Sequence, residues 1–123
     1  MHKQIIISSA EWIEDRLILS TEYTDFVLDE WKPHEHMLVD SNHLTFLYML
    51  ESEEDYCYVA IPHTYWEFCK TLMVKQKKAY IRLDGKELEL KMMKEELQYL
   101  IRNIEGNANY GETLVKTVEE IFL

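Results

Sequence analysis

Two apolar runs joined by an acidic turn constrain this chain more than any other feature. The runs are Met37–Leu50 and Tyr56–Ile61, and the turn between them is Glu51–Asp55. From Leu44 to Leu50 both alternating sets of side chains are apolar or aromatic. A strand that is apolar on both sides belongs in the middle of a sheet with something packed on each face. The sequence therefore predicts that this hairpin forms the centre of a sheet.

Short apolar runs near the start of the chain predict another hairpin. Its strands are Lys3–Trp12 and Arg16–Glu22, and its turn is Glu14-Asp15. The runs within these strands, Ile5–Ile7 and Leu17–Leu19, are β-rich and too short for helices. The stretch that follows, Tyr23–Glu35, is the least periodic part of the chain.

Asp84-Gly85 is the strongest local signal in the sequence. Two residues of this type between alternating runs predict a hairpin with a type I′ turn. The resulting register places Ile81 opposite Leu88 on an apolar face. It places Arg82 opposite Glu87 on the other face, where the two side chains can form a cross-strand ion pair.

Apolar stripes with a period of 3.6 residues predict three helices. The first spans Tyr65–Val74 and begins at a capping box, Thr64-x-x-Glu67. The second spans Met92–Glu105, and the third has Asn109 as its N-cap. Strands, a helix, a hairpin and two helices in this order predict one α+β domain over residues 1–123. In it, a largely antiparallel β-sheet carries all three helices, one central and two C-terminal, on one face.

The net charge of −10 is unevenly placed along the chain. Residues 1–61 hold 13 acidic and three basic residues, whereas residues 62–123 hold ten of each. The acidic half argues against nucleic acid as a partner, because nucleic-acid binding needs a basic surface. No uncharged apolar stretch approaches the ~18 residues of a membrane span, and the first residues do not resemble a signal peptide. We therefore expect an acidic cytosolic protein, with no membrane partner, in which Cys57 and Cys69 are reduced.

The segment His34-Glu-His36 is the candidate metal site. Two histidines at i and i+2 on a strand point the same way, and Asp40 or His43 could complete a ligand set. The same pattern arises easily by chance, so polar loop residues are the favoured interpretation. The chain lacks the motifs of nucleophilic catalysis and of phosphate binding, and we expect no cofactor.

Aromatic residues with polar tips cluster between residues 48 and 66. Such side chains are over-represented at binding surfaces, although they are also ordinary core residues. A segment with two Asn and one Tyr between glycines links the last two helices, which fits either a tight turn or a recognition loop. The candidate interaction residues are Tyr48, Tyr56, Tyr58, Tyr65, Trp66, Asn107, Asn109 and Tyr110.

Three functions stay open at this point. A non-enzymatic interaction module, which acts on a protein partner or as a homo-oligomer, ranks first because of the aromatic cluster, the split charge and the missing catalytic motifs. A small-molecule or anion-binding domain ranks second, with a pocket between the sheet and the helices near Lys75, Lys77, Lys78 or Arg82. A metal-dependent enzyme at the histidine site ranks third.

Four segments carry a resemblance to a known family: Met37–Leu50, Tyr58–Glu67, Glu95–Glu112 and Val118–Leu123. They resemble the YjbL-like family, an uncharacterised group of small acidic proteins from Bacillus, Staphylococcus and relatives. The resemblance covers essentially the full length, and the stretch before residue 36 matches loosely. It implies a bacterial, cytosolic, single-domain protein, and it brings no catalytic or ligand-binding residue with it.

Overall fold

The computed structural model describes residues 3–22 and 26–123. These residues form eight strands and three helices, which confirms the predicted α+β class. Residues 23–25 of the least periodic stretch lie outside the described residues. The helices are α1 (Trp66–Lys75), α2 (Met93–Ile104) and α3 (Glu112–Phe122). The strands are β1 (Lys3–Ile6), β2 (Ser9–Ile13), β3 (Arg16–Ser20), β4 (Lys32–Asp40), β5 (Thr45–Glu51), β6 (Tyr56–Pro62), β7 (Lys78–Leu83) and β8 (Lys86–Glu89).

The strands form two mixed sheets of four strands each, where the sequence predicts one sheet. Sheet A has the order β1-β6-β5-β4, and sheet B has the order β2-β3-β7-β8. The long strand predicted over Lys3–Trp12 is divided between the two. Ile7 donates its backbone N–H to the Ala60 carbonyl at 3.0 Å, whereas Ser8 donates to the Ser20 carbonyl at 2.9 Å. One continuous segment therefore belongs to both sheets.

The hairpin of β5 and β6 lies at the centre of sheet A, as the sequence predicts. Phe46, Tyr48 and Leu50 point to the inner side of the sheet and are fully buried. Leu47 and Met49 point to the other side and are only half-buried. The sequence predicts that both faces of this strand are buried. In the structure one face is fully buried and the other is only partly buried.

The inner faces of both sheets contribute to one hydrophobic core. Ile5 comes from sheet A, Leu17 and Ile81 come from sheet B, and all three are fully buried. Helix α2 lies against β4 and also contacts β7. Just before this helix, the Lys91 carbonyl accepts a hydrogen bond at 2.6 Å from the Tyr48 hydroxyl, and burial raises the pKa of that hydroxyl above its ordinary value. No helix among the described residues is long and apolar enough to cross a membrane.

Trp66, the first residue of α1, anchors the helical side of the core. It is fully buried, and its ring stacks on Phe46 with 4.0 Å between the ring centroids. Its Nε1–H donates to the Ile61 carbonyl at 3.0 Å, so the polar atom of the indole is satisfied. This contact fixes the start of α1 on the inner face of sheet A.

Both predicted two-residue turns are confirmed. Glu14-Asp15 and Asp84-Gly85 have φ angles of 50°, 69°, 50° and 75°, and a type I′ turn requires positive φ at both positions. Arg82 Nε donates to Glu87 Oε2 at 3.0 Å, which confirms the predicted ion pair. Arg16 of β3 donates to the other carboxylate oxygen at 2.7 Å. These hydrogen bonds, first that of Arg82 and then that of Arg16, hold the pKa of Glu87 below its usual range.

The capping box predicted at Thr64-x-x-Glu67 is wrong. A 3-10 turn over His63–Tyr65 precedes α1, and Tyr65 occupies the N-cap position without a side-chain hydrogen bond. The extra turn moves the start of the helix past the threonine, so its hydroxyl no longer faces the free N–H groups of the first turn.

The predicted cap of α3 is also wrong, for the same reason. Gly111 is the N-cap of this helix, and Asn109 lies inside a 3-10 turn over Ala108–Tyr110. The Asn107 side chain caps that turn, because its Oδ1 accepts a hydrogen bond from the Asn109 backbone N–H at 3.0 Å.

Replacing Trp66 tests this description of the core. Trp66→Ala is expected to lower the free energy of unfolding by about 3–5 kcal/mol, the usual cost of truncating a buried aromatic side chain. Trp66→Phe is expected to cost about 1–3 kcal/mol, since it keeps an aromatic ring but loses the buried hydrogen bond from Nε1 to the Ile61 carbonyl. Urea denaturation provides the measurement. Trp12→Ala is the control, because Trp12 is 36% exposed; an equal loss there would contradict the account.

Candidate functional site

The side of sheet A that points away from the core carries a contiguous line of apolar residues. Ile6 of β1 pairs with Ala60 of β6, Ala60 with Leu47 of β5, and Leu47 with Leu38 of β4. Paired residues of a sheet point to the same face, so these four side chains cross all four strands as one row. Ile6 is 60% exposed and Leu38 is 37% exposed at the two ends. This line is named the apolar row.

Two further lines lie beside the apolar row, towards the turn between β5 and β6. Gln4, Tyr58 and Met49 form the first, in which the tyrosine and the methionine are half-buried. Tyr56, which is 39% exposed, pairs with Glu51 in the second. These lines and the apolar row together make up the outer face of sheet A. Neighbouring apolar side chains that are left partly open to water are characteristic of interaction sites.

An acidic concavity borders the outer face at the β5–β6 turn. Asp29 forms an ion pair with Lys86. Glu30, Glu53 and Glu54 form no ion pair within residues 3–22 and 26–123. The concavity therefore presents uncompensated negative charge, and it is named the acidic end. It has a volume of 420 Å³ and is lined by Asp29, Glu30, Ser52, Glu53 and Glu54.

The two histidines of the predicted metal site have different partners. His34 Nδ1 lies 3.2 Å from Glu51 Oε2, on the outer face of sheet A. His36 Nδ1 lies 3.4 Å from Glu96 Oε1, which belongs to α2. Glu35 between them has a φ of 59°, and this left-handed residue interrupts the alternation that would aim both rings the same way.

The other two candidate ligands pair with each other. His43 Nδ1 lies 2.8 Å from Asp40 Oδ2, while Asp40 Oδ1 accepts from the backbone N–H groups of Asn42 and His43. The carboxylate therefore organises the turn after β4. Within the described part of the chain, no group of three or more His, Cys, Asp or Glu side chains could hold a metal ion. The structure does not bring the four predicted ligands together.

The predicted aromatic cluster is divided between core and surface. Tyr48 and Trp66 are fully buried, so their assignment to an interaction surface is wrong. Tyr48 belongs to the inward set of β5, and Trp66 covers that set from the helical side. Tyr65 is half-buried against the core. Only Tyr56 and Tyr58 of this cluster lie on the outer face of sheet A.

The predicted recognition loop is a structured connection between α2 and α3. Besides capping the 3-10 turn, Asn107 donates through Nδ2 to the Asn103 carbonyl at 3.1 Å. Tyr110 packs against the core, whereas Asn109 is exposed. These hydrogen bonds fit the role of a tight turn, and the loop is not part of the outer face of sheet A.

The anion-binding hypothesis points to a pocket of 220 Å³ at the start of α2. The charged residues of its lining are Lys77, Lys78, Lys94, Glu89 and Glu95. The two carboxylates offset most of the positive charge, and Lys77 already pairs with Asp15 at 3.6 Å. Of the other predicted basic residues, Arg82 is bound to Glu87, and Lys75 lines a second pocket together with Lys77 and Asp15. The predicted basic residues thus do not converge on one site.

The two cysteines offer little chemistry at neutral pH. Cys57 and Cys69 are free and buried. Burial raises the pKa of each thiol to about 12. The reactive form of cysteine is the thiolate, which is scarce at neutral pH when the pKa is so high.

Sequence reasoning misses the main part of this surface. Ile6, Leu38, Leu47 and Met49 are absent from the predicted interaction residues. The available signal is the second apolar set of β5, which the pattern alone assigns to a buried face.

Comparison with known proteins gives one family and no activity. UPF0738, described as a family of unknown function, matches residues 5–122. UPF0738 proteins of Bacillus cytotoxicus, Bacillus mycoides and Bacillus cereus (strain B4264) are 49%, 47% and 45% identical, each over the full length of both chains. No solved structure matches the chain significantly. The expected resemblance to an uncharacterised family from Bacillus is confirmed.

The reactivity of Cys57 and Cys69 tests whether both thiols are buried in the core. At about pH 8 the native protein is expected to react with a thiol reagent far more slowly than the urea-unfolded protein. Because both pKa values are raised, the thiols' contribution to stability is complete below the ordinary value of 9.0 and declines as the pH rises towards about 12. Urea denaturation at increasing pH should show a shallower decline for the Cys57→Ala/Cys69→Ala variant. Rapid labelling of the native protein would contradict the account.

Proposed function

This chain belongs to the UPF0738 family, and we propose that it is a non-enzymatic module that binds another protein through the outer face of sheet A. The observation that carries the proposal is the apolar row, which leaves Ile6 60% and Leu38 37% exposed. Leaving such surface open to water has a free-energy cost that a partner removes by covering it.

The edges of sheet A are poorly suited to the addition of a partner strand. On the β4 edge, Pro33 has no N–H to donate, and a register shift lies between Pro33 and Met37. The Met37 N–H is already bonded to Glu96 Oε1 at 3.1 Å. On the β1 edge, the Ile6 carbonyl accepts from the Thr21 hydroxyl at 3.0 Å. These features favour binding across the face of the sheet over pairing at its edge.

The tyrosines of the outer face support the same interpretation. Tyr56 and Tyr58 combine apolar area with a polar tip, which is the composition of many energetically important interface residues. The ring of His34 meets the Tyr56 ring edge-on, with centroids 5.4 Å apart. This contact helps to hold an exposed aromatic side chain in a defined position, which lowers the entropy cost of binding.

A cytosolic location is part of the proposal. Cys57 and Cys69 are both free in the structure. Unpaired thiols suit a reducing compartment, because secreted proteins commonly use their cysteines in disulfides.

Site-specific photo-crosslinking in Bacillus cells tests the proposed surface. The photoreactive residue p-benzoylphenylalanine replaces Tyr56 or Leu38, and irradiation is expected to give a discrete adduct at each position. The matched controls replace Val74 and Tyr99, which are 70% and 65% exposed and lie on helices outside sheet A. These controls are expected to give no adduct, since exposure alone does not bind a partner.

Circular dichroism first establishes that all four variants fold. The proposal is then contradicted if neither outer-face position gives an adduct. It is equally contradicted if the two helical controls give adducts of the same abundance. A protein identified in an adduct is accepted as the partner only when both outer-face positions capture it.

A further inference from the structure

We infer that the partner presents a cationic amphipathic helix, which lies across the outer face of sheet A with its basic residues at the acidic end. This inference rests on the proposed function and names the chemistry of its partner. It is carried by the position of the acidic end beside a face whose other carboxylates are already paired, by the shape of that face, and by the poorer charge match of a second copy.

The charge of the outer face is unpaired at one end only. Within the outer face, Glu51 is met by Lys32 at 4.0 Å and by His34 at 3.2 Å. Directly beyond it, Glu53 and Glu54 are exposed, and neither forms an ion pair within the described residues. A second concavity, of 480 Å³, connects Glu51 with the acidic end. A partner that covers the apolar row can therefore place lysine or arginine side chains against unpaired carboxylates at one end only.

The shape of the apolar row suits a helix. Ala60 is 1% exposed and stands between the larger side chains of Ile6 and Leu47, so it forms the floor of a shallow depression in the apolar row. Three gaps of about 4.8 Å between four strands give the row a width of about 14 Å. A helix rises about 1.5 Å per residue, so about ten residues of a helix that lies along the row span this distance. Its apolar side chains at positions i, i+3, i+4 and i+7 supply a continuous contact line.

A second copy of this chain fits the surface less well. The opposite end of the outer face is crossed by the paired residues Asp40, Thr45 and Pro62, none of which is basic. His43 at that end is already paired with Asp40. In a two-fold dimer through this face, the acidic end of one copy would meet either this end or the other copy's acidic end, where Lys32 already lies 4.0 Å from Glu51. Each chain also carries a net charge of −10. The same negative charge disfavours nucleic acid and anionic lipid.

Fluorescence anisotropy with synthetic peptides tests the inference on the purified full chain. The probe is a labelled leucine–lysine peptide with leucine at helical spacing. Its controls are a scrambled peptide of the same composition and a leucine–glutamate peptide with the same spacing. The probe is expected to bind at least about tenfold more tightly than either control, and its Kd should rise with salt because charge pairs are screened.

Matched charge reversals locate the contact. Glu53→Lys/Glu54→Lys is expected to weaken binding of the probe at least about tenfold. Glu11→Lys/Glu14→Lys makes the same change in net charge at exposed positions of sheet B and its turn, and it is expected to change the Kd less than about twofold. Leu38→Glu is expected to weaken binding as well, because it places a charge in the apolar row.

Each alternative result overturns the inference. Equal weakening by both double variants would show general attraction to an acidic protein. A probe that binds no better than the scrambled peptide would show that no helical apolar face is recognised. Crosslinks at Tyr56 and Leu38 together with a failed peptide test would retain the proposed function and remove the cationic helix. An adduct of twice the chain mass, with a dimer in light scattering, would identify a second copy as the partner.

Discussion

The backbone N–H groups of Ile7 and Ser8 hold the two sheets of this protein together. Ile7 donates to Ala60 in sheet A at 3.0 Å, and Ser8 donates to Ser20 in sheet B at 2.9 Å. Because one segment belongs to both sheets, their inner faces meet along it and enclose a single core. Successive side chains of a strand point to opposite faces, so neighbouring residues differ in burial. Ile7 is 2% exposed, whereas Ile6 is 60% exposed on the outer face of sheet A.

The helices stabilise the inner side of this arrangement. Trp66 of α1 stacks on the inward-facing Phe46, and α2 lies against β4 while it contacts β7. Burial of aromatic and aliphatic groups on that side supplies the main driving force for folding. The opposite side of sheet A, with Leu38 at one end of its apolar row, is not covered by these helices. The proposed function thus places partner binding on the face of sheet A opposite to the one that stabilises the fold.

Turns and strand positions in this fold can be predicted from the sequence, whereas the burial of each face of a sheet cannot. The Asp84-Gly85 turn and the central position of β5 and β6 follow from turn chemistry and alternation, which depend on neighbours along the chain. Whether Leu47 is covered depends on what packs on each face, and it is as apolar as the buried Phe46. For the same reason Tyr48 and Trp66 resemble interface residues in the sequence, although both belong to the core. The division of the first strand at residues 7–8 is set by distant partners in β6 and β3.

Methyl NMR provides the most direct test of the claim that the outer face of sheet A is a docking surface. Spectra of the full chain with labelled isoleucine, leucine and methionine methyl groups are recorded while the leucine–lysine peptide is added. The account predicts that Ile6, Leu38, Leu47 and Met49 shift, with little change at Met93 beside the pocket at the start of α2. Shifts confined to the helices or to that pocket, with the outer-face methyl groups unchanged, would contradict it.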